Sequence, residues 1–143
     1  MTGEKTYKYI VSACLAGEKC RYDCQAKPRQ YVIDLVQNGE ALAVCPEQLG
    51  GLPTPRPPAE EVSPMIFKTS DGDNVTKEYL KGASEASLLA KNSGVTKALL
   101  KSKSPMCGSG SVYDGTFKGK LVKGDGIFTR MLKELGIEVE EIE

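Results

Sequence analysis

At 143 residues the chain is long enough for one domain with a proper hydrophobic core and short for two. Nineteen Lys and Arg balance nineteen Asp and Glu, so no global field steers it onto nucleic acid or membrane. Its apolar runs of about four to five residues fall far below the roughly 20 that a spanning helix needs, so no membrane partner is expected. There is no histidine, which removes the commonest general base and metal ligand and leaves Cys, Asp, Glu, Lys, Ser, Tyr or a cofactor to carry any chemistry. The segment Met1-Thr2-Gly3-Glu4-Lys5 shows no signal-peptide core, and a cytoplasmic protein with one domain over 1–143 is expected. Its five cysteines are odd in number and unevenly spaced, which favours reduced thiols over a disulfide framework.

Residues 7 to 13, mostly apolar, predict a strand buried on both faces. Cys14 to Lys27, charged and containing Gly17, predicts a loop. From Pro28 to Gln37 the apolar Tyr31, Val32, Leu35 and Val36 recur at helical spacing, with Gly39 suited to end the helix. A second strand, Ala41 to Val44, completes a βαβ unit, whose crossover is right-handed as a rule. Pro46 to Pro64 holds six prolines and predicts a rigid loop without a regular helix or central strand. Met65 to Thr69 and Asn74 to Thr76 flank the turn Ser70-Asp71-Gly72-Asp73 and predict a small hairpin. Thr76 is placed to cap a helix running to Ser93, which Gly94 ends. Val95 to Leu100 predicts a third strand, and the glycine-rich Gly108 to Gly126 a mobile segment of the lid-forming kind. Ile127 to Leu135 predicts a helix closed by Gly136, and Ile137, Val139 and Ile142 a half-exposed edge strand. Together these elements predict a single-domain, Rossmann-like three-layer α/β fold with a mainly parallel sheet. In such folds the site lies at the carboxyl ends of the strands.

Cys14, Cys45 and Cys107 each follow one of the apolar runs read as strands. A lone cysteine is more often a small buried hydrophobe, but three thiols delivered to one rim of a sheet are poorly explained by packing. A structural zinc is normally closed by four Cys or His ligands. Three thiolates with an open position suit a 4Fe-4S cluster that keeps one iron free for substrate. Cys20 and Cys24, with three residues between them, match no zinc knuckle or redox pair and are expected to be incidental. An accessory ligand or an oxidation product is the lesser reading of the two. Arg56, held between Pro55 and Pro57, is a candidate to bind a substrate carbonyl or phosphate, or to close a salt bridge.

Longer segments add a resemblance. Ser12 through Asp23, with Cys14-Leu15-Ala16-Gly17 and Cys20-Arg21-Tyr22-Asp23, is one. The others are Cys45-Pro46-Glu47 through Pro55-Arg56-Pro57-Pro58, and Lys103-Ser104-Pro105-Met106-Cys107-Gly108 with Tyr113-Asp114-Gly115-Thr116-Phe117. Over nearly its whole length the chain resembles the bacterial thiouracil desulfidase family, long filed as a domain of unknown function. That resemblance implies an oxygen-sensitive 4Fe-4S cluster on Cys14, Cys45 and Cys107, with Glu47 and Ser104 assisting. The implied reaction is non-redox desulfuration of a thiocarbonyl compound such as 2-thiouracil, giving uracil and sulfide, on a small thiolated nucleobase or nucleoside. Read without the resemblance, Glu47 is equally a solvated carboxylate and Ser104 a turn-forming hydroxyl. Thiolated tRNA nucleosides are an alternative substrate, disfavoured by neutral charge and the lack of an RNA-binding module; a non-catalytic metal or sulfur-binding module is another alternative. The chain departs from the family pattern at Cys24, where glycine is expected, and at Met106, where serine is usual and a change in pocket polarity is expected. No sequence feature sets an oligomeric state.

Overall fold

The structure, a computed structural model, describes residues 6–143; Met1 to Lys5, and with them the reading of the amino terminus, lie outside the described residues. Four short strands, β1 (Tyr9–Ser12), β2 (Ala41–Val44), β5 (Lys97–Lys101) and β8 (Glu138–Ile142), form a wholly parallel sheet in the order β2-β1-β5-β8. Side chains alternate across it. Ile10, Ala98 and Leu100 face one core, against α3 (Thr76–Asn92) and α4 (Ile127–Glu134). Val11 and Leu99 face a second core, against α1 (Gln30–Gln37). Helices on both faces of a parallel sheet make the expected three-layer α/β arrangement. The order of strands reverses at β1, and at such a switch the loops leaving adjacent strands part to open a crevice.

Two segments differ from expectation. The proline-rich stretch from 46 to 64 holds a one-turn helix, α2 (Pro46–Leu49), and a strand, β3 (Ala59–Ser63). Three of its prolines sit at element ends, Pro46 in the first turn of α2, where its missing N–H costs nothing, and Pro58 and Pro64 just outside β3, while Pro53, Pro55 and Pro57 lie in the loop between α2 and β3. That strand pairs antiparallel with β4 (Ile66–Thr69) around Pro64-Met65, so the hairpin lies one element earlier than expected. The Ser70–Asp73 turn forms as well, but joins only a single Lys68–Asn74 bridge. The glycine-rich segment is likewise not irregular. It contains a second hairpin, β6 (Ser111–Tyr113) with β7 (Leu121–Lys123), clasped at its base by Gly126 N–H to Gly108 O at 2.7 Å and Gly110 N–H to Asp125 Oδ1 at 2.9 Å.

Other boundaries shift slightly. α1 begins at Gln30, two residues after Pro28, and the loop after β1 opens with a 3-10 turn over Ala13–Ala16 that ends at Gly17. Thr76 is the first residue of α3 and not its cap; its hydroxyl instead accepts the Phe67 N–H at 2.9 Å, tying the helix to β4.

Candidate active site

Each thiol is set by the end of a strand. Ser12 and Val44 are register partners at the carboxyl ends of β1 and β2, so Cys14 and Cys45 emerge side by side, two residues and one residue further on. Pro46 disfavours the helical region for Cys45, which is extended at φ −122, ψ 98. Cys107 follows β5 by a longer route, through Lys103 in the left-handed region at φ 75. The Ser104–Cys107 turn brings it back. Ser104 Oγ accepts the Cys107 N–H at 2.7 Å, and the buried Thr129 of α4 donates its hydroxyl to the Cys107 carbonyl at 2.9 Å.

Cys14, Cys45, Cys107, Glu47, Ser104 and Arg56 all line one cavity of about 740 Å³ at the crevice. Among the described residues no three His, Cys, Asp or Glu side chains converge tightly enough to close on a single metal ion. Three soft sulfur donors with no imidazole beside them have the chemistry that suits an iron-sulfur cluster, whose thiolates bind separate irons.

The cavity acts differently on each thiol. Burial, and then the Glu47 carboxylate, push Cys14 up to about 11. Burial and Glu47 likewise raise Cys107 well above the ordinary thiol range, opposed by a hydrogen bond from the Ser12 hydroxyl. Cys45 goes the other way: a hydrogen bond from the Cys20 thiol holds it below the ordinary range, against the burial that raises it. Cys20 is correspondingly kept protonated, by that bond and by burial. As a thiol, Cys45 would donate toward the Cys20 carbonyl at 3.7 Å and Glu47 Oε1 at 3.8 Å.

Arg56 ties these groups together from behind. Its buried guanidinium donates to Pro53 O at 3.1 Å, Thr54 Oγ1 at 3.0 Å and Cys20 O at 3.1 Å, and its Nη2 stands 3.8 Å from Glu47 Oε2. Those contacts match the salt-bridge reading of Arg56. Ser104 matches its turn-forming reading, because Oγ is an acceptor within the turn; its own O–H remains able to donate into the cavity. Met106 does not touch the pocket as expected. Its side chain is fully buried in the core with Ile127 and Phe128, because the backbone of residues 105 and 106 accepts the first N–H groups of α4 and turns the side chain inward.

Two contributors escaped the sequence. Cys20, expected to be incidental, is 5% exposed and lines the cavity beside Cys45. Ser12, also buried and lining the cavity, accepts the Lys101 N–H at 3.0 Å while its hydroxyl serves Cys107. Only the position of Ser12 at the end of β1, two residues before Cys14, hinted at this. Cys24 is exposed and does not line the cavity that the other four thiols share.

The family model described as 2-thiouracil desulfurase matches residues 9–143. A solved structure described as the 4Fe-4S-dependent thiouracil desulfidase TudS is 46% identical and superposes with a TM-score of 0.89, covering 95% of this chain and 91% of its own. A protein of Bacillus subtilis (strain 168), described only as the uncharacterized protein YbbK, is 37% identical over 139 residues, 91% of this chain and 92% of that protein. With a match that runs from the first strand of the sheet to the last residue, the chain belongs to the 2-thiouracil desulfurase family.

Proposed function

We propose that this protein is a desulfidase that hydrolyses the thiocarbonyl group of a small thiolated nucleobase or nucleoside such as 2-thiouracil, and that Cys14, Cys45 and Cys107 hold its 4Fe-4S cluster. The observation that carries the reading is the gathering of three strand-end thiols, Glu47 and Ser104 around one cavity. The likeness to the desulfidase TudS supports it. When bound, the cluster supplies an iron without a protein ligand, a soft Lewis acid for thiocarbonyl sulfur.

The chain's own residues do the rest. In the net reaction a thiocarbonyl and one water become a carbonyl and hydrogen sulfide, so a proton must leave the attacking water and protons must reach the departing sulfur. Glu47, two residues beyond Cys45, takes one proton at a carboxylate oxygen as water attacks and returns it to the sulfur, then relays the second from the hydroxyl on carbon to the departing sulfur as the carbonyl forms. Arg56 orients that carboxylate from the Oε2 side. Ser104, fixed by the Cys107 N–H, points its free O–H at the oxygen forming on carbon. The Cys20 S–H and Ser12 O–H bonds stabilise the ligating sulfurs of Cys45 and Cys107 in their charged form.

Free thiols of this kind need a reducing compartment, which supports a cytoplasmic location; among the described residues no helix is long and apolar enough to cross a membrane. One sheet carrying a core on each face supports a single domain over 1–143. The test is anaerobic reconstitution followed by incubation with 2-thiouracil. Expected are broad visible absorbance from thiolate-to-iron charge transfer and equimolar uracil and sulfide. Loss of the cluster is expected in Cys14→Ala, Cys45→Ala and Cys107→Ala and not in Cys24→Ala, and Glu47→Ala should keep the cluster and lose turnover. A loaded protein that releases no sulfide from any thiolated base or nucleoside sinks the proposal.

A further inference from the structure

The Tyr113–Phe117 turn, singled out in the sequence, has no part in holding the cluster or moving a proton. It nevertheless reaches the cavity, which Tyr113 and Phe117 both line. Phe117 adopts φ 60, a left-handed conformation that is unfavourable for a bulky aromatic residue, so something must hold it there. The holder is Glu60. This carboxylate of β3 is 7% exposed, and its Oε1 accepts two backbone bonds from the turn, from Gly115 N–H at 2.9 Å and Phe117 N–H at 3.2 Å. Asp114 stiffens the turn from within, accepting from the Thr116 N–H at 2.9 Å and its hydroxyl at 2.6 Å. Gly115, at φ 92, packs so closely on the Glu61 backbone that a Cβ would collide with the Glu61 carbonyl.

The aromatic rings paired with each other among the described residues are Phe67 and Tyr79. Phe117 is 36% exposed, and among the described residues its ring has no aromatic partner. A strained, doubly anchored aromatic at a cavity wall is an arrangement for presenting a ring face.

We propose that Phe117 is the surface on which the flat ring of the substrate stacks, and that Glu60 is the positioning residue that fixes it there. This rests on the thiocarbonyl reading above and adds how the ring of the thiolated base, as distinct from its sulfur, is recognised. Stacking of a base on an aromatic side chain tolerates different bases, so Phe117 selects planar heterocycles over aliphatic thioamides.

Anaerobically reconstituted variants test this with 2-thiouracil and with thioacetamide. Phe117→Ala should raise KM for 2-thiouracil about tenfold, the size expected for loss of one stacked base, with a much smaller change in kcat and none in KM for thioacetamide. Phe117→Tyr should restore the wild-type KM. In Glu60→Ala the peptide covering residues 113–120 should exchange its amides about tenfold faster than in the wild type, as a released local segment does, and KM should rise in parallel; Glu60→Gln, which keeps an acceptor oxygen, should fall between. An unchanged KM in Phe117→Ala overturns the stacking role, and unchanged exchange in Glu60→Ala overturns the positioning role. Should Glu60→Ala not fold, the wild type decides: fast exchange at Gly115 and Phe117 overturns the latch. If the wild type desulfurates nothing, the reaction reading fails separately, and calorimetric binding of uracil, weakened or not by Phe117→Ala, still decides the stacking.

Discussion

Cys24, where the sequence reading expects glycine, is held at a backbone angle that suits glycine. It sits at φ 62 in the exposed Arg21–Gln25 turn, where its N–H donates to Arg21 O at 2.9 Å. The left-handed region costs a residue with a Cβ about 1–2 kcal/mol, and glycine nothing; part of that gain is lost because glycine is freer in the unfolded chain. Cys24→Gly should therefore stabilise the protein by about 0.5–1 kcal/mol in urea denaturation under reducing conditions, with unchanged iron content. A destabilised variant would show that the thiol makes a contact that outweighs the strain. Residue identities at the rim of the sheet were legible because each follows a strand end; Cys20 was not, because its place depends on Arg56, 36 positions away, donating to its carbonyl. Spacing along the chain carries no trace of a contact made that way. Met106 misled for the opposite reason: its neighbours Ser104 and Cys107 belong to the site, while a turn sends its own side chain into the core.

Among the elements, those with a period and a terminator were readable. The apolar stripe of α1 ends at Gly39 and α3 at Gly94, both in the left-handed region, and the parallel strands show as apolar runs. β3 was missed because Ala59-Glu60-Glu61-Val62-Ser63 has poor strand propensity. Its glutamates are satisfied tertiarily: Glu60 by the Tyr113–Phe117 turn, and Glu61 by Arg130 at 2.6 Å and the Met65 N–H at 2.8 Å. The packing of α2 on α3 was equally hidden, although it fixes the Cys45–Glu47 segment. Two glycines make it possible. A Cβ on Gly82 of α3 would overlap the Pro46 carbonyl, and one on Gly50 would overlap the Glu78 carbonyl. Because the obstacle is backbone on both sides, the two elements must separate to admit even a methyl group. Gly82→Ala should then cost at least about 2 kcal/mol despite the better helix propensity of alanine. It should also lower the iron retained after anaerobic reconstitution, since Cys45 moves with α2. Leu88→Ala, on the exposed face of the same helix, should stay within about 0.5 kcal/mol. Equal effects from the two substitutions would mean that the glycine contact does not position the site.

At the scale of the whole molecule, strand order could not be read from local pattern, yet the cysteines reported it indirectly. Three thiols leaving three strands on one side require those strands to be parallel neighbours, and β2, β1 and β5 are adjacent in the sheet. Gathering so many ionisable groups in one cavity also ties the site to global stability. Burial and Glu47 raise Cys14 from 9.0 to about 11. Well below pH 9.0 the thiol is protonated whether the chain is folded or not, and its titration contributes nothing. Between pH 9.0 and about 11 the unfolded chain loses the proton while the folded one retains it, so stability falls as pH rises. Two pH units at about 1.36 kcal/mol each give a loss of about 2–3 kcal/mol. Cys107, raised by its burial, acts in the same direction, whereas Cys45, lowered by Cys20, favours the folded state as pH approaches 9.0. Comparison with Cys14→Ser, whose hydroxyl does not titrate in this range, isolates the Cys14 contribution. In cluster-free protein under reductant, the stability difference between wild type and Cys14→Ser should stay flat up to about pH 9 and then move against the wild type up to about pH 11. A difference independent of pH across that window would mean that Cys14 ionises as easily in the folded protein as in water, and that burial at the end of β1 does not hold its proton.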